Sequence, residues 1–332
     1  MGAARGRTCL ITGCGGFVGS HLAGLMHNRQ WRVYGTVHRS TERVKDFEGN
    51  VRLSRVDVAD AAQVHRLIAE AQPDVVFHLA GQSHLGRSWE DPVGTFRTNT
   101  LGTLHLLEAV GALRREAAII VVGSSAEYGQ AGRGGEPIGE ETPFQPGSPY
   151  AVSKIALDML AYTYWRRYGL RTVRVRPFAL IGPGKDDDAV AEFARAIVRV
   201  ERREAESVAV GNLDAVRDFL DVRDGATALA CLAERGAAGC VYNLCSGTGR
   251  TLQEVLDGLL ALAQRPVSVV RDPARLRASD DPVLIGDSRR LRACGWEPTM
   301  PLQQTLRDVM AFWRGVRSLE AAESGLLVSE RR

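Results

Sequence analysis

Tyr150 and Lys154 lie four residues apart at the start of a predicted helix, a spacing that places a phenol and an amine on one helix face. A tyrosine has an ordinary pKa of about 10, and an adjacent ammonium lowers that pKa because it favours the phenolate. The pair therefore predicts proton exchange between Tyr150 and a hydroxyl or carbonyl group of a substrate. The alternative is a chance spacing, in which Tyr150 packs on the core and Lys154 extends into water.

A glycine-rich turn near the start of the chain predicts a dinucleotide site. An apolar run over residues 7–12 breaks into a series of glycines, and a helical pattern then continues to residue 27. In a strand, turn and helix of this kind, glycines let the backbone approach a pyrophosphate, whose charge is met by the helix N-terminus. The predicted cofactor contacts in this turn are Gly13, Gly16, Phe17, Val18 and Gly19.

The next two strands end in residues that predict which dinucleotide binds. The strand over residues 32–37 is followed by Arg39, where an NAD-binding chain usually carries an acid for the ribose 2′-hydroxyl. An arginine there suits a 2′-phosphate, so NADP or NADPH is favoured over NAD; the alternative is a solvated loop charge. The strand over residues 51–56 is followed by Asp57 and Val58. Asp57 is placed either to accept from the adenine amino group or to cap the next helix.

Four further segments predict the side of the site that holds the nicotinamide ribose and the substrate. The strand over residues 73–80 closes in small residues that pass beside a nicotinamide ribose, namely Leu79, Ala80 and Gly81. The segment that follows is either a sugar-binding loop or simply a loop, and it contains Ser83, His84 and Ser88. Asn99, near the start of an amphipathic segment over residues 95–113, is expected to hold a water or a backbone carbonyl near the site. Ser124 follows an apolar strand over residues 117–122, where a hydroxyl either faces the ligand crevice or only caps the turn.

The second half of the chain predicts a change of lobe and an anion site. Proline and glycine cluster over residues 177–184. Arg217 stands beside Asp218, and this pair either presents a guanidinium fork to phosphate or makes an ordinary ion pair. Further strands are predicted over residues 170–176, 241–244 and 267–270, and helices over residues 189–203, 251–263 and 302–313.

The composition argues against several classes of protein. The chain has 332 residues with 42 basic and 39 acidic side chains, a net charge of +3 that is too balanced for a nucleic-acid binder held by a broad basic face. No apolar run approaches the roughly 20 residues of a membrane span, and the N-terminal residues form no apolar signal region, so a cytoplasmic protein is expected. The six cysteines show no metal-binding spacing, which favours reduced thiols.

The chain resembles the extended short-chain dehydrogenases/reductases that act on nucleotide sugars. The resemblance covers about residues 7–313 and rests on the order and spacing of the glycine turn, Asp57, Ser124, Tyr150 with Lys154, and residues 217–219. Within that family the chain is most similar to GDP-mannose 4,6-dehydratases and GDP-4-keto-6-deoxy-mannose reductases. The segments that carry this likeness cover residues 82–84, 211–218, 242–247 and 282–287.

The resemblance implies an α/β fold, a doubly wound parallel Rossmann sheet with a smaller C-terminal lobe for the substrate. The NADP domain would comprise residues 1–178 and also receive 218–245, the substrate lobe residues 179–317, and a tail residues 318–332. Ser124, Tyr150 and Lys154 would form the catalytic set, and Asn99, Tyr150 and Lys154 would also contact the cofactor, with Lys154 at the nicotinamide ribose. The nucleotide sugar, with GDP favoured, would contact Ser83, His84, Ser88, Ser125, Ala126, Ala179, Arg217 and Arg277. A homodimer is implied too, in which the segment 95–113 and the helix after Tyr150 pair across a two-fold axis.

Two departures from the family's pattern favour reduction of a sugar over loss of water. Dehydratases of the family carry a glutamate or an Asp-Glu pair just after the catalytic Ser or Thr, where this chain has Ser125 and Ala126. Glu127 follows one step late, and in a strand one step reverses the side chain unless a bulge turns it inward. Relatives also carry an asparagine at the position of Ala179. The expected activity is NADPH-dependent reduction of a GDP-linked 4-keto-6-deoxy-hexose; the alternatives are a 4-epimerase, a dehydratase and a catalytically silent NADP-binding protein.

Overall fold

A computed structural model of the protein describes residues 6–38, 41–47, 51–275 and 283–316. The predictions for Arg39, for Arg277 and for the tail, residues 318–332, lie outside these ranges. The strands of the described part are β1 (Thr8–Thr12), β2 (Arg32–Val37), β3 (Val51–Arg55), β4 (Val75–His78), β5 (Ala118–Val122), β6 (Thr172–Pro177), β7 (Ala179–Ile181), β8 (Ser207–Val210), β9 (Val216–Asp221), β10 (Val241–Leu244), β11 (Gly249–Thr251), β12 (Ser268–Arg271) and β13 (Val283–Leu284). The helices are α1 (Phe17–Asn28), α2 (Ala61–Ala71), α3 (Leu85–Glu90), α4 (Pro92–Phe96), α5 (Gly102–Leu113), α6 (Pro149–Tyr168), α7 (Ala189–Glu201), α8 (Val222–Arg235), α9 (Leu252–Leu260), α10 (Arg289–Arg292) and α11 (Leu302–Gly315).

The central sheet is parallel throughout, and its strands lie in the order β3–β2–β1–β4–β5–β6–β10. All of β1 and β4 and most of β5 are buried because helices cover both faces, which explains why these strands are continuous apolar runs. The strand order reverses between β1 and β4, and such a reversal opens a crevice at the carboxyl ends of the strands. The predicted doubly wound α/β fold is confirmed.

Two hydrophobic cores hold the helices against this sheet. On one face, α1 and α8 pack through side chains such as Leu22 and Leu229. On the other face, α2, α5 and α6 pack through Leu67, Leu106 and Leu157. The carboxyl ends of the strands and the start of α6 are thereby fixed relative to one another, which is the requirement for a precise site.

A smaller lobe is built around β9, which pairs with β7 and β13 in parallel and with β11 antiparallel. A separate parallel pair is formed by β8 and β12. Helices α7, α9 and α11 enclose a third core, in which Ile197, Leu256 and Trp313 are buried. The chain then crosses back, because α8 packs on the same core as α1 and β10 pairs with β6.

Several elements differ from the sequence prediction. The polar loop after β4 contains a short helix, α3. The amphipathic segment begins earlier than expected, at α4, and passes through a π-helical turn, Arg97–Leu101, before it continues as α5. Helix α8 was not predicted, because its first residues were interpreted as part of an anion-binding run. Its buried face, with Leu229 and Leu232, has ordinary helical spacing.

Candidate active site

The predicted catalytic pair lies at the start of α6, on its buried face. Ser148 caps the helix, because its side chain accepts a hydrogen bond from the Ala151 amide at 3.2 Å. Tyr150 and Lys154 are 7% and 8% exposed. The Lys154 Nζ atom donates to the Val122 carbonyl at the end of β5 over 2.9 Å and lies 5.9 Å from the centre of the Tyr150 ring. The alternative in which Lys154 extends into water is therefore wrong.

Burial dominates the acidity of both groups. It raises the pKa of Tyr150 to about 12, and a hydrogen bond with Ser124 acts in the opposite direction. The pKa of Tyr150 was expected to fall under the influence of Lys154, and this direction is wrong because desolvation of the phenolate is the larger effect. Burial also lowers the pKa of Lys154 to about 8, against the attraction of Glu127. Tyr150 therefore carries its proton near neutral pH and is ready to act as an acid.

Ser124 begins a 3₁₀ turn, Ser125–Glu127, that directly follows β5. Its Oγ atom accepts a hydrogen bond from the Ala126 amide at 3.1 Å, and the Glu127 Oε1 atom accepts one from the Ser124 amide at 2.8 Å. This reciprocal arrangement is a capping box. The interpretation of Ser124 as a cap of the turn is confirmed, and its hydroxyl also acts on the pKa of Tyr150; that it faces a ligand stays a prediction.

Glu127 points into the protein and away from the crevice. The rule that successive side chains alternate does not apply, because the segment is a turn and not a strand. The side chain is fully buried, and its Oε2 atom lies 2.9 Å from the Nε atom of Arg176. Inward rotation of Glu127 toward a substrate, which the sequence left open, is therefore not what this turn produces.

The glycine turn has the geometry of a dinucleotide site. Gly13 has a left-handed backbone, with φ of +70°, and a Cβ atom there would lie 2.9 Å from the backbone of Ala80. A Cβ atom at Gly19 would lie 2.2 Å from the Gly13 carbonyl oxygen. Helix α1 begins after Gly16 without a side-chain cap or an acidic residue in its first turn, so its amides, including those near Phe17 and Val18, are available to an anion.

Further predicted cofactor residues follow the carboxyl ends of β3 and β4. Asp57 is half-buried, with its Oδ1 atom accepting from the Ala59 amide at 2.9 Å, and Val58 is buried. The interpretation of Asp57 as a helix cap is wrong, because Asp60 caps α2. Beyond β4, Leu79 and Ala80 are half-buried and Gly81 is exposed; a Cβ atom at Gly81 would lie 3.7 Å from the Lys154 Nζ atom.

A buried chain of hydrogen bonds connects these elements, and the sequence did not predict it. His78 lies between the hydroxyl groups of Thr12, at 2.8 Å, and Thr103, at 3.0 Å. Thr103 in turn donates to the Asn99 carbonyl at 2.6 Å. Burial lowers the pKa of His78 to about 3, and Lys154 contributes to the same effect, so the imidazole is neutral. The sequence shows His78 at a strand end but gives no sign of its two threonine partners.

Asn99 lies behind the site, in the π-helical turn. Its Oδ1 atom accepts from the Gln82 amide at 2.7 Å, and its Nδ2 atom donates to the Gln82 carbonyl at 3.0 Å and to Ser153 at 2.9 Å. The expected contact with a backbone carbonyl is confirmed. Asn99 is fully buried, so it positions the segment after Gly81 and does not present its own amide to the crevice.

The predicted substrate residues are placed unequally. Ser83 and His84 are exposed, Ala126 and Ala179 are half-buried, and Ser125 is 7% exposed. Ser88 is fully buried, and its hydroxyl donates to the Leu85 carbonyl at 2.6 Å because α3 encloses it. The predicted contact between Ser88 and a sugar therefore has no support in this arrangement.

A segment that crosses from the second lobe to the first, residues 183–187, was not recognised in the sequence. The Pro183 carbonyl meets His21 at 3.1 Å, and the Gly184 carbonyl accepts from Arg43 at 2.8 Å. Asp187 pairs with Lys185 at 2.7 Å and with His84 at 3.4 Å. These contacts hold the second lobe beside the glycine turn and beside Tyr150, whose pKa Asp187 also raises.

The predicted anion site lies on β9. Arg217 is half-buried and stands opposite Arg250 of β11, so two guanidinium groups share one face of the small sheet. Asp218 is buried on the other face, where its carboxylate accepts from the amides of Ser246, at 2.7 Å, and Gly247, at 2.9 Å. The Nη1 atom of Arg217 donates to the Val216 carbonyl at 2.9 Å, and Arg250 pairs with Glu254 at 3.2 Å, while Asp218 holds the loop after β10.

Neither a metal site nor a membrane-spanning helix occurs in the part of the chain that the structure describes. No group of three His, Cys, Asp or Glu side chains there could hold a metal ion. No helix among the same residues is long and apolar enough to cross a membrane.

Comparisons with known proteins agree with this geometry. The GDP-mannose 4,6 dehydratase family matches residues 10–309. The chain is 35% identical to the GDP-6-deoxy-D-mannose reductase of Pseudomonas aeruginosa, over 91% of this chain and 96% of that protein. The solved structure of RMD from Pseudomonas aeruginosa complexed with NADPH is similar with a TM-score of 0.81 and 34% identity, over 93% of this chain and 99% of that chain. The solved structure of the Thermus thermophilus UDP-glucose 4-epimerase complex with NAD is similar with a TM-score of 0.83 and 31% identity, over 93% of this chain and 99% of that chain.

Proposed function

The chain belongs to the GDP-mannose 4,6 dehydratase family, and from this premise we propose that it reduces a GDP-linked 4-keto-6-deoxy-hexose to the 6-deoxy sugar with NADPH as the reductant. One observation carries the proposal, namely the turn after β5. There the Ser124 hydroxyl acts on the pKa of Tyr150, Ala126 occupies the position at which dehydratases need a carboxylate, and Glu127 is fully buried. These groups suffice for reduction of a carbonyl, whereas elimination of water needs a base at the C5 proton.

Each group in the crevice would have a separate role in the reaction. NADPH, when bound, supplies the hydride to the C4 carbon. Tyr150 gives its proton to the C4 oxygen, and Ser124 donates a hydrogen bond to the same oxygen while negative charge develops there. Lys154, anchored by the Val122 carbonyl, stabilises the tyrosinate that remains after proton transfer.

The glycine turn fits a dinucleotide, because Gly13 and Gly19 allow a turn that a Cβ atom would obstruct and α1 begins without an acid in its first turn. Asp57 would meet the adenine amino group, and Leu79, Ala80 and Gly81 would line the nicotinamide ribose. Preference for NADPH over NADH rests on Arg39, whose position in the sequence suits a 2′-phosphate.

The nucleotide sugar would lie between the lobes. Arg217 and Arg250 lie opposite each other on β9 and β11; Arg250 also pairs with Glu254, and the two guanidinium groups together support capture of a diphosphate. Arg277 completes the proposed anion site on the strength of its sequence motif. Ser83, His84 and Ala126 would contact the hexose. Ala179, in place of the asparagine of relatives, leaves more room and one hydrogen-bond donor fewer.

We also infer a homodimer in the cytoplasm. Exposed apolar side chains lie on α3, α4, the π-helical turn and α6, and a second copy would bury them. They are Leu85, Trp89, Val93, Leu101 and Val152. All six cysteines are free thiols, which supports a reducing compartment.

The test is a pair of assays on the purified protein. GDP-4-keto-6-deoxymannose with NADPH should lose NADPH absorbance and yield a GDP-6-deoxyhexose by mass spectrometry. GDP-mannose with NADP should yield no 4-keto-6-deoxy product. Loss of water from GDP-mannose would favour a dehydratase, and C4 inversion without net consumption of NADPH would favour an epimerase; either result would refute the reductase proposal.

A further inference from the structure

The carboxyl group of Glu127 has no role in the reaction steps proposed above. Its Oε1 atom holds the Ser124 amide at 2.8 Å. A Cβ atom at Gly123 would lie 2.2 Å from this oxygen, so only glycine at position 123 lets the carboxyl group fold over the backbone in this way. The amide that begins the catalytic turn is therefore fixed from behind by Glu127.

The second oxygen of Glu127 lies in an ion pair with Arg176 but receives no hydrogen bond. The Nε atom of Arg176 lies 2.9 Å from both Glu127 Oε2 and Asp158 Oδ2, and its single proton is directed at Asp158. Glu127 Oε2 is buried and receives no hydrogen bond. A carboxyl group in this position, beside a second carboxylate, holds a proton more readily than an exposed one. Burial first, and Asp158 second, raise the pKa of Glu127 to about 8.

Ionisable groups face Glu127 from two neighbouring elements and from its own turn. Arg176 comes from β6, and Asp158, Lys154 and Tyr150 form one stripe along the buried face of α6 at a spacing of four residues. Tyr128, the next residue, is linked to Arg176 through its hydroxyl at 2.8 Å. A negative charge on Glu127 favours the protonated forms of Lys154 and Tyr150.

We propose that Glu127 is a positioning residue with two effects: its carboxyl group fixes the Ser124 turn from behind, and its charge acts on the Tyr150–Lys154 pair. The inference rests on the proposed reductase reaction, in which Tyr150 must hold a proton. As pH rises, ionisation of Glu127 opposes loss of the Lys154 and Tyr150 protons. Glu127 thereby extends the active range of the enzyme toward alkaline pH.

Two variants separate these effects. Glu127→Gln keeps an oxygen for the Ser124 amide and removes the charge. It should leave kcat within about two-fold below neutral pH and move the alkaline limb of the kcat profile down by about one pH unit, the usual size of such perturbations. Gly123→Ala displaces the carboxyl group and keeps its charge, so it should lower kcat about ten-fold and leave the limb in place.

Glu254→Gln is the matched control, because Glu254 forms the same capping box with Thr251 at the start of α9, in the other lobe. It should reproduce the wild-type profile. An alkaline limb that is the same in Glu127→Gln and wild type would overturn the inference, as would a shift of equal size in Glu254→Gln. Circular dichroism establishes that each variant is folded.

A second measurement does not depend on turnover. Infrared difference spectra of the wild type, recorded on either side of pH about 8, should show the carbonyl stretch of a protonated carboxyl group disappear, and Glu127→Gln should lack this change. If the wild type fails to oxidise NADPH with any keto-sugar, the proposed function fails, and this spectrum alone decides the inference. A wild-type spectrum without the change would overturn it.

Discussion

Replacing Tyr150 with phenylalanine should abolish most of the activity and leave the fold intact. The ring is 7% exposed, and phenylalanine fills the same volume with the same helix cap at Ser148. The change removes one hydroxyl group, and with it the hydrogen bond to Ser124, whose loss costs about 1 kcal/mol of stability. The effect on catalysis is larger, because the hydroxyl is the proton donor for the sugar oxygen.

The expected loss in kcat is about 100-fold to 10,000-fold, the range for removal of a positioned general acid. This range corresponds to an activation barrier that is higher by about 3–5 kcal/mol. Initial rates of NADPH oxidation at saturating keto-sugar measure it. The dissociation constant of NADPH, from quenching of protein fluorescence, should stay within about two-fold of wild type, because Lys154 and the glycine turn are unchanged.

Tyr162→Phe is the matched control, since Tyr162 lies on the same helix and is 37% exposed. It should retain wild-type kcat. Ser124→Ala combined with Tyr150→Phe should cost little more than Tyr150→Phe alone, because both groups act on one oxygen. A Tyr150→Phe variant that keeps more than about a tenth of wild-type kcat would refute the assignment of Tyr150 as the acid.

Four further changes test other parts of the site. Arg39→Asp should reverse the preference for NADPH, since a charge-assisted contact with the 2′-phosphate is worth about 1.5–3 kcal/mol; equal wild-type dissociation constants for NADH and NADPH would contradict the prediction. Arg217→Ala should raise KM for the nucleotide sugar at least about ten-fold with a smaller effect on kcat, and a loss of NADPH affinity instead would place the arginine in the wrong site. Lys154→Ala should lower both kcat and NADPH affinity, because Lys154 is expected to contact the nicotinamide ribose as well as to stabilise the tyrosinate; an unchanged value of either would argue against that role. Val93→Glu should convert the expected dimer into a monomer in light scattering, whereas a monomeric wild type at micromolar concentration would reject the dimer.

Much of the first lobe is predictable because its strands are buried on both faces. Continuous apolar runs bounded by glycine and polar residues locate β2 and β10 at the residues expected, Arg32–Val37 and Val241–Leu244. The glycines at 13, 16 and 19 predict the cofactor turn, because the turn has backbone requirements that other residues cannot meet. The Thr251 and Glu254 capping box locates the start of α9 for the same reason, because a local pattern determines a local structure.

Properties that depend on distant segments could not be predicted in this way. Glu127 acquires its environment from Arg176 and Asp158, which reach it from β6 and α6. The crossing segment 183–187 contacts His21 and Arg43, which are more than 100 residues away in the sequence. The direction of the Tyr150 pKa shift does not follow from the sequence, because the sequence shows the neighbouring Lys154 but does not show how completely the ring is desolvated.

The high pKa of Tyr150 bears on the direction of the reaction. Oxidation of a sugar hydroxyl needs the phenolate as a base, whereas reduction of a carbonyl needs the phenol as an acid. Raising the pKa from 10 to about 12 lowers the phenolate fraction near neutral pH by roughly two orders of magnitude. Burial of Tyr150, with Glu127 and Asp187 adding negative charge nearby, therefore favours the acid over the base, and the hydrogen bond with Ser124 acts in the opposite direction.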